Sequence, residues 1–349
     1  MSAGDATGSG RGLRRHLAAP LGVVVSVVAL YVALRGVDVQ AAATRLQRAD
    51  PLPLVAIFGV IGVQLVLRTV RWRALLAIAR PATPIRLATL LPILLIGYLG
   101  NAVLPARLGE PIRAYLAARA ERLDSGVVFG TVVLERVLDT ASLAVLAFGA
   151  ALVLGAPAWL TQAAGLAAIA GVVVVAALLT GGLGLLGRIL ARAESRLPSR
   201  AVAGVLRFVR FMAVGADAAQ ERPAAGLALA ISGACWLLDA TTFWLVGQSL
   251  GMTLAPAAAL LIAAVTVLGT ALPSAPGYLG TFELAAAGTA AALGVAASPA
   301  FSLAVLAHVM AVAPSALGGA VALSASGMGM ASLSTGARSL RQDPAVVPE

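Results

Sequence analysis

The chain has 349 residues, of which 60% are hydrophobic and only 11% are charged. This composition excludes an ordinary soluble domain, in which about a quarter of the residues are charged, and it predicts a polytopic α-helical membrane protein. All 25 basic residues are Arg, and the net charge is +10. Because the Arg residues lie mainly between apolar runs, we attribute them to the positive-inside rule and to contacts with anionic lipids. We therefore expect no nucleic acid partner.

The predicted elements begin with a polar N-terminal tail, residues 1–16, which we place in the cytoplasm. A helix needs about 20 apolar residues to cross the hydrocarbon core of a bilayer, and six runs are long enough. They are residues 17–35, 52–70, 127–154, 160–187, 224–250 and 300–325. We therefore predict a membrane domain over residues 17–325 and a disordered C-terminal tail over 326–349.

The Arg clusters predict the orientation of the chain. Residues 68–86 and 188–222 are rich in Arg and are expected on the cytoplasmic side, together with both termini. Residues 188–222 are compatible with a basic amphipathic helix on the inner surface and nearly as well with a solvated loop. Arg35, Arg45 and Arg48 fit this topology poorly, because it places them outside.

Two further apolar regions, about 86–120 and 256–297, are interrupted by Pro and Gly. They contain the related phrases GYLGNAVLPARLGEPIR and VLGTALPSAPGYLGTFE. Pro breaks a helix and Gly allows a sharp turn, and such backbone is tolerated at membrane depth only inside protein or beside a polar cavity. We predict two re-entrant hairpins that enter from opposite faces as an inverted repeat; an ordinary kinked helix or loop would explain either phrase alone. The turn residues are Gly100, Pro105, Gly109, Gly269, Pro273, Gly277 and Gly280.

The phrase LERVLD places three charges in a spanning run. Glu135 and Asp139 are four residues apart and share a helix face, and Arg136 and Asp139 are three apart and can pair. Charges inside a membrane segment face a polar cavity or pair with one another. The phrase therefore indicates either part of a headgroup site or an internal ion-pair cluster.

The phrase RLGEPIR carries Arg107, Glu110 and Arg113 beyond the first break. Pro111 favours a helix that starts there, and two guanidinium groups beside a helix N-terminus favour binding of a lipid phosphate. An ordinary cytoplasmic turn is the alternative. Glu283 is the acidic residue of the second phrase and has no Arg near it in the sequence.

The phrase RTVRWRALL carries Arg68, Arg71 and Trp72 at the end of a predicted helix. Arg beside Trp is typical of an interfacial anchor, and a headgroup contact is the alternative. Asp239 is a buried acid and a candidate partner for an Arg. His308 is expected to be a satisfied core histidine.

Signals for enzymatic chemistry are absent from the sequence. It contains no Walker A loop, no nucleophile elbow and no cluster with metal-ligand spacing. We therefore expect no catalytic residue, no metal and no cofactor.

Four phrases, RTVRWRALL, GNAVLPARLGEPIRAY, LERVLD and LPSAPGYLGTFE, occur in this order. Together they resemble the flippase-like membrane region of the lysylphosphatidylglycerol synthases, over about residues 20–325. In bifunctional relatives this region precedes an aminoacyl-transferase domain and moves the modified lipid outward. The sequence ends soon after its last apolar run, so the resemblance implies the translocating part without the transferase. It also adds Asn101 and Pro276 to the turn residues.

The resulting expectation is a lipid translocase in the bacterial cytoplasmic membrane. Its cargo would be a phosphate-bearing lipid, such as an aminoacyl-phosphatidylglycerol or a polyprenyl- or glycosyl-linked lipid. The headgroup site would comprise Arg107, Glu110, Arg113, Glu135, Arg136, Asp139 and Glu283. The alternatives are a scaffold or partner subunit for a glycosyltransferase or lipid-modifying enzyme, a small-solute secondary transporter, and an enzyme that acts on a lipid phosphate with Glu110 or Asp139 as base.

Overall fold

The computed structural model describes residues 22–77, 84–104, 107–180, 222–271 and 274–327. Within these ranges the chain is helical and contains no strand. The predicted tail 1–16, residues 188–221 of the predicted basic segment, nearly all of the tail 326–349, and the turn residues Pro105 and Pro273 lie outside the described residues.

The helices follow one another with short connections. They are α1 Gly22–Ala33, α2 Val39–Gln47, α3 Pro51–Leu76, α4 Leu87–Val103, α5 Gly109–Glu121, α6 Ser125–Val153, α7 Ala158–Leu179, α8 Arg222–Ser249, α9 Pro256–Gly269, a 3-10 turn Pro276–Tyr278, α10 Thr281–Ala292 and α11 Ala297–Ala325.

Aspartates begin several of these helices. The side chains of Asp38, Asp50 and Asp124 accept a hydrogen bond from a backbone N–H in the first turn of α2, α3 and α6. Each thereby satisfies a donor that has no partner within the helix. Helix α2 was not predicted, because it is short and its sequence is too polar to register as an apolar run.

Five described helices are long and apolar enough to cross a membrane: α3, α6, α7, α8 and α11. Large apolar side chains cover their outer faces, including Leu52, Phe58, Leu166, Val173, Leu317 and Val321. An apolar surface this extensive is stable against lipid and not against water. The chain is an integral membrane protein.

The six predicted spanning runs agree with the structure except at the N-terminus. The described part of the first run is the helix Gly22–Ala33, which is too short to count as a span, and residues 17–21 lie outside the described part. The run predicted at 160–187 is described as Ala158–Leu179 only.

Both interrupted regions form a pair of short helices joined at a turn. Helix α4 packs against α5, and α9 packs against α10. The order of helix lengths repeats along the chain: α3 to α6 have 26, 17, 13 and 29 residues, and α8 to α11 have 28, 14, 12 and 29. We call α4–α5 the first hairpin and α9–α10 the second hairpin.

The long helices hold the two hairpins together. Helix α6 contacts α3, α8, the α5 arm of the first hairpin and the α9 arm of the second, while α11 contacts α4 and α10. Many of the buried residues in these interfaces are Ala, including Ala144, Ala259, Ala263, Ala286 and Ala304. Small residues let membrane helices approach closely, and this brings charged side chains of α3, α5 and α6 together.

Candidate functional site

Three guanidinium groups and three carboxylates meet where α3, α5 and α6 converge. The ion network, as we call it, comprises Arg71 from α3, Glu110 and Arg113 from α5, and Glu135, Arg136 and Asp139 from α6. Its formal charges balance. Charged side chains at membrane depth cost about 2.5–3.5 kcal/mol each unless they pair, which explains why these groups lie together.

Arg71 has no exposed surface and lies between the two acids of α6. Its Nη2 is 3.1 Å from Oε1 of Glu135, and both of its Nη atoms bind the carboxylate of Asp139. Its Nη1 also donates to Oγ of Ser232 on α8 at 2.7 Å. The predicted placement of Glu135 and Asp139 on one helix face is confirmed, and a single guanidinium spans them.

Arg113 is also buried and joins α5 to α6. Its Nη2 lies 2.8 Å from Oε1 of Glu135 and 2.7 Å from Oε2 of Glu110. Its guanidinium group lies 4.9 Å from the centroid of the Trp72 ring, within cation–π range. All of its charge is therefore compensated inside the protein, and in this structure Arg113 exposes only 1% of its side chain.

Glu110 and Arg136 form the exposed edge of the network. The side chain of Arg136 is 35% exposed and that of Glu110 17%. Nη2 of Arg136 lies 2.6 Å from Oε1 of Glu135 and 3.6 Å from Oδ2 of Asp139, which confirms the predicted pairing of Arg136 with Asp139. Its buried Nε has no hydrogen-bond acceptor among the described residues.

The interfacial-anchor interpretation is wrong for Arg71 and Trp72. Both side chains have no exposed surface, whereas an anchor turns its side chain toward the headgroups. Trp72 Nε1 donates to Oγ1 of Thr131 at 3.3 Å, so the indole is an internal packing residue. Arg beside Trp is ambiguous in sequence, because the same pair stabilises a buried charge through a cation–π contact.

A second ion pair lies beside the network. Nη2 of Arg68 binds Oδ2 of Asp239 at 3.0 Å, and both side chains are partly exposed. Nη1 of Arg68 donates to the hydroxyl group of Tyr98 at 3.4 Å. The prediction that Asp239 pairs with an Arg is confirmed. Tyr98 was not predicted, because a single Tyr in an apolar helix forms no sequence pattern that marks it as part of a site.

Arg107 joins the turns of the two hairpins. Its Nη2 donates to the backbone carbonyl of Thr270 at 2.7 Å and to its Oγ1 at 3.1 Å. Its guanidinium group lies 5.2 Å from the centroid of the Tyr278 ring. No Arg lies near the second phrase in the sequence. In the structure, however, Arg107 of the first phrase contacts Thr270 of the second phrase.

Tyr278 connects this contact to the ion network. It lies close enough to Arg107, Glu110 and Arg136 to interact electrostatically with each. Arg107, Arg136, Tyr98 and Tyr278, all of them only partly buried, therefore belong to one polar region between the hairpin turns and the network. We call this region the inter-hairpin site.

The first hairpin turn is closed by Asn101. Its Oδ1 accepts from the backbone N–H of Gly109 at 3.0 Å, and its Nδ2 lies 3.5 Å from Oε1 of Glu110. Helix α5 begins at Gly109, two residues before the predicted start at Pro111. The N–H of Gly109 at the start of α5 is therefore bound by Asn101, whereas the prediction offered the free N–H groups of a helix starting at Pro111 to an anion.

The second hairpin turn is closed by Glu283. Its Oε2 accepts from the backbone N–H of Gly280 at 2.7 Å, and its Oε1 lies 2.5 Å from Nδ1 of His308. Nε2 of His308 lies 2.7 Å from the carbonyl oxygen of Gly277. The expectation of a satisfied core histidine is confirmed; its pairing with Glu283 was missed, since the two residues lie on separate helices.

The residues predicted as one site thus divide into four groups. Arg113, Glu135 and Asp139 lie in the buried part of the ion network, Glu110 and Arg136 at its edge, and Arg107 at the hairpin turns. Glu283 lies in a separate contact with His308.

A family comparison decides what kind of membrane protein this is. Residues 20–319 match the family model of the lysylphosphatidylglycerol synthase transmembrane region. The chain belongs to this family. The match includes both hairpins and every residue of the ion network.

The chain is also similar to a glycosyltransferase. The chain is 27% identical over 341 residues to glycosyltransferase AglD of Haloferax volcanii, an alignment that covers 88% of this chain and 54% of AglD. The chain therefore spans about half the length of that relative. No solved structure matches the chain significantly.

Proposed function

We propose that this protein translocates a phosphate-bearing lipid across the membrane. The family to which it belongs is named for a phospholipid-modifying synthase, and the chain supplies a polar site enclosed by apolar helices. A translocase needs both features, because the headgroup must cross the apolar core while the acyl chains stay in lipid.

The observation that carries the proposal is the position of Arg107. Its guanidinium group lies between the turns of the two hairpins, is partly exposed, and pairs with no carboxylate among the described residues. A carbonyl oxygen and an aromatic ring solvate a cation without neutralising it. Arg107 therefore keeps a net positive charge that a lipid phosphate would neutralise.

Arg136 extends the cationic surface toward the ion network. Guanidinium groups bind phosphate with paired N–H donors, and the 35% exposed side chain of Arg136 and the hydroxyl groups of Tyr98 and Tyr278 add donors nearby. Glu110 and Asp239 would meet an amine on the same headgroup. An aminoacyl-phosphatidylglycerol, which carries a phosphate and an amine, fits this distribution, and so does the phosphate of a polyprenyl- or glycosyl-linked lipid.

The buried part of the network would support the site and not touch the lipid. Arg71, Arg113, Glu135 and Asp139 have at most a few per cent of their side chains exposed, and each is paired inside the protein. Because they tie α3, α5 and α6 together, they would fix Glu110 and Arg136 in place. Arg113, predicted as part of the phosphate clamp, has this supporting role in the proposal.

The hairpins are the moving part of the proposed mechanism. Helices α5, α9 and α10 have 13, 14 and 12 residues, and at 1.5 Å per residue each is shorter than the ~30 Å hydrocarbon core. We propose that both hairpins are re-entrant and that they form the two halves of an inverted repeat. Movement of one hairpin against the other would open the inter-hairpin site to each side in turn.

The proposal places the protein in the cytoplasmic membrane with both termini inside, as the Arg-rich segments favour. Its partners are membrane lipids and, where the cargo is made by another protein, a lipid-modifying enzyme. In this proposal the activity of the protein is translocation and not catalysis.

The similarity to AglD favours a second candidate. A chain that matches about half of a glycosyltransferase could act as the membrane partner of a separate glycosyltransferase. In that case it would bind a partner protein and move no lipid by itself.

The test is translocation in proteoliposomes with fluorescent or chemically labelled headgroups. Phosphatidylglycerol, an aminoacyl-phosphatidylglycerol and a polyprenyl phosphate would be compared with protein-free vesicles and with a small zwitterionic amino acid. Movement of one lipid class above the protein-free rate supports a translocase and names the cargo. Uptake of the solute alone supports a secondary transporter, and movement of none by folded protein contradicts translocation by this chain itself.

A further inference from the structure

In the buried pair Glu283–His308, both ring nitrogens of His308 face oxygen atoms at hydrogen-bond distance. Nε2 of His308 faces the carbonyl oxygen of Gly277 at 2.7 Å, and Nδ1 faces Oε1 of Glu283 at 2.5 Å. A carbonyl oxygen can only accept, so Nε2 carries a hydrogen. The contact at Nδ1 then needs a second hydrogen, on the ring or on the carboxyl group. Both contacts are therefore satisfied as hydrogen bonds only when the pair holds one proton more than a neutral ring beside a carboxylate.

We propose that Glu283–His308 is a proton-binding site that couples proton movement to the lipid step, an inference that rests on the proposed translocation. Both side chains are buried, at 7% and 9% exposed for Glu283 and His308, so a proton on the pair is held inside the protein. The pair lies on α10 and α11, outside the ion network, and contacts the second hairpin turn directly.

Release of the proton breaks one contact at this turn. A neutral ring has a single N–H. Either Nε2 would then present a lone pair to the carbonyl oxygen of Gly277, or Nδ1 would present a lone pair to the carboxylate of Glu283. Two acceptors at 2.5 to 2.7 Å repel each other. Glu283 remains fixed by the N–H of Gly280 at 2.7 Å, so the ring or the Gly277 segment has to move.

The Gly277 segment leads to the inter-hairpin site. Gly277 and Tyr278 both have left-handed backbone angles, with φ of 71° and 63°, so this turn depends on its surrounding contacts. Tyr278 packs beneath Arg107. Loss of the Gly277–His308 contact would therefore change the support of Arg107, and binding of a phosphate to Arg107 would in turn change the affinity of the pair for its proton.

Other charged groups near α11 do not touch the ring. Among the described residues, the elements packed against α11 carry Tyr98 on α4, Cys235 and Asp239 on α8, Arg45 and the flanking Asp38 and Arg48 around α2, Arg68, Arg71 and Arg73 on α3, and Tyr278 and Glu283 in the second hairpin. Of these, Glu283 contacts His308, and Phe282 stacks on its ring at 4.3 Å between centroids. Among the described residues, Glu283 is therefore the charged group that contacts His308.

The first experiment measures lipid translocation with an imposed pH gradient and the membrane potential clamped at zero. The measured quantity is the ratio of rates with and without the gradient, so a changed basal rate does not affect it. We expect a several-fold ratio in the wild type, a ratio near one in His308→Gln, and a wild-type ratio in the control His16→Gln. A wild-type ratio near one, or an unchanged ratio in His308→Gln, overturns the inference.

The second experiment needs no transport, and so separates this inference from the proposed function. In His16→Gln protein in lipid nanodiscs, the ring nitrogens of His308 would be followed by ¹⁵N NMR from about pH 5 to about pH 9. We expect the backbone signals of Gly277 and Gly280 to shift with the same midpoint as the ring. Backbone signals that stay constant through the ring titration overturn the inference, even where no lipid moves in the first experiment.

Discussion

The buried charges of Arg71 and Arg113 are balanced by acids on other helices, and shorter-range pairs complete the network. The pairing of Arg136 with Asp139 and the shared face of Glu135 and Asp139 follow from helical spacing. The contacts of Arg71 with Asp139 and of Arg113 with Glu135 span 68 and 22 residues, and no local pattern encodes them. For this reason the sequence predicts Arg71 as an anchor and Arg113 as a phosphate ligand, whereas in the structure both side chains are buried and paired with acids inside the protein.

Replacement of Arg113 should therefore destabilise the protein more than it impairs the site directly. Arg113→Gln removes the cation nearest to Glu110 and one of the three cations around Glu135, and loss of one partner of a buried pair costs about 3–5 kcal/mol. We expect a large fall in the thermal unfolding temperature in detergent. Arg119→Gln, on the same helix but exposed, is the matched control and should unfold like the wild type. Equal stability of the two variants would contradict the buried network.

The helical elements were predicted well where Pro and Gly interrupt apolar runs. Each interrupted region contains two helices that pack against each other, as expected for runs that residues with a local effect on the backbone interrupt. That the two pairs are re-entrant stays a prediction. The boundary at Gly109 was placed two residues late, since the side chain of Asn101 and not Pro111 determines where α5 begins. The packing of one hairpin turn on the other is a tertiary contact and could not be derived from either phrase.

Close packing of the first hairpin predicts the effect of a methyl group at Gly109. A Cβ there would lie 1.8 Å from the carbonyl oxygen of Gly97 and 2.6 Å from Oδ1 of Asn101. Since the nearest atom is backbone, α4 and α5 would have to separate, at a cost of about 1–3 kcal/mol or more. Gly109→Ala should lower the unfolding temperature in detergent, whereas Gly62→Ala, with no atom within 4 Å of its added Cβ, should not. A wild-type unfolding temperature for Gly109→Ala would contradict the close contact.

The second hairpin makes a corresponding prediction at Gly280. This residue has φ of 83°, and an added Cβ would lie 2.2 Å from the carbonyl oxygen of Ser26 on α1. Gly280→Ala should therefore detach α1 from the turn and increase proteolysis or hydrogen exchange of Gly22–Ala33. Gly288→Ala lies in the same hairpin with open space around its Cβ and serves as control. Identical exchange in the two variants would show that α1 is not held by this turn.

At the scale of the whole molecule, the described residues combine an apolar exterior with a charge-balanced ion network inside. The length and composition of the apolar runs were sufficient to predict a membrane protein, because insertion depends on summed hydrophobicity. The meeting of the hairpin turns at Arg107 was not predictable, since it depends on how α6 and α11 bring the two halves together. It is also the feature on which the proposed translocation depends.

The initial rate of translocation of a phosphate-bearing lipid in Arg107→Gln and wild-type proteoliposomes tests this account most directly. Loss of a charge-assisted hydrogen bond is worth about 1.5–3 kcal/mol, so we expect the Arg107→Gln rate to fall about 10- to 100-fold. Arg107→Lys should retain part of the rate, and Arg119→Gln all of it, with each variant shown to be folded by its unfolding temperature. A folded Arg107→Gln protein that moves the lipid at the wild-type rate would contradict the assignment of the headgroup to the inter-hairpin site.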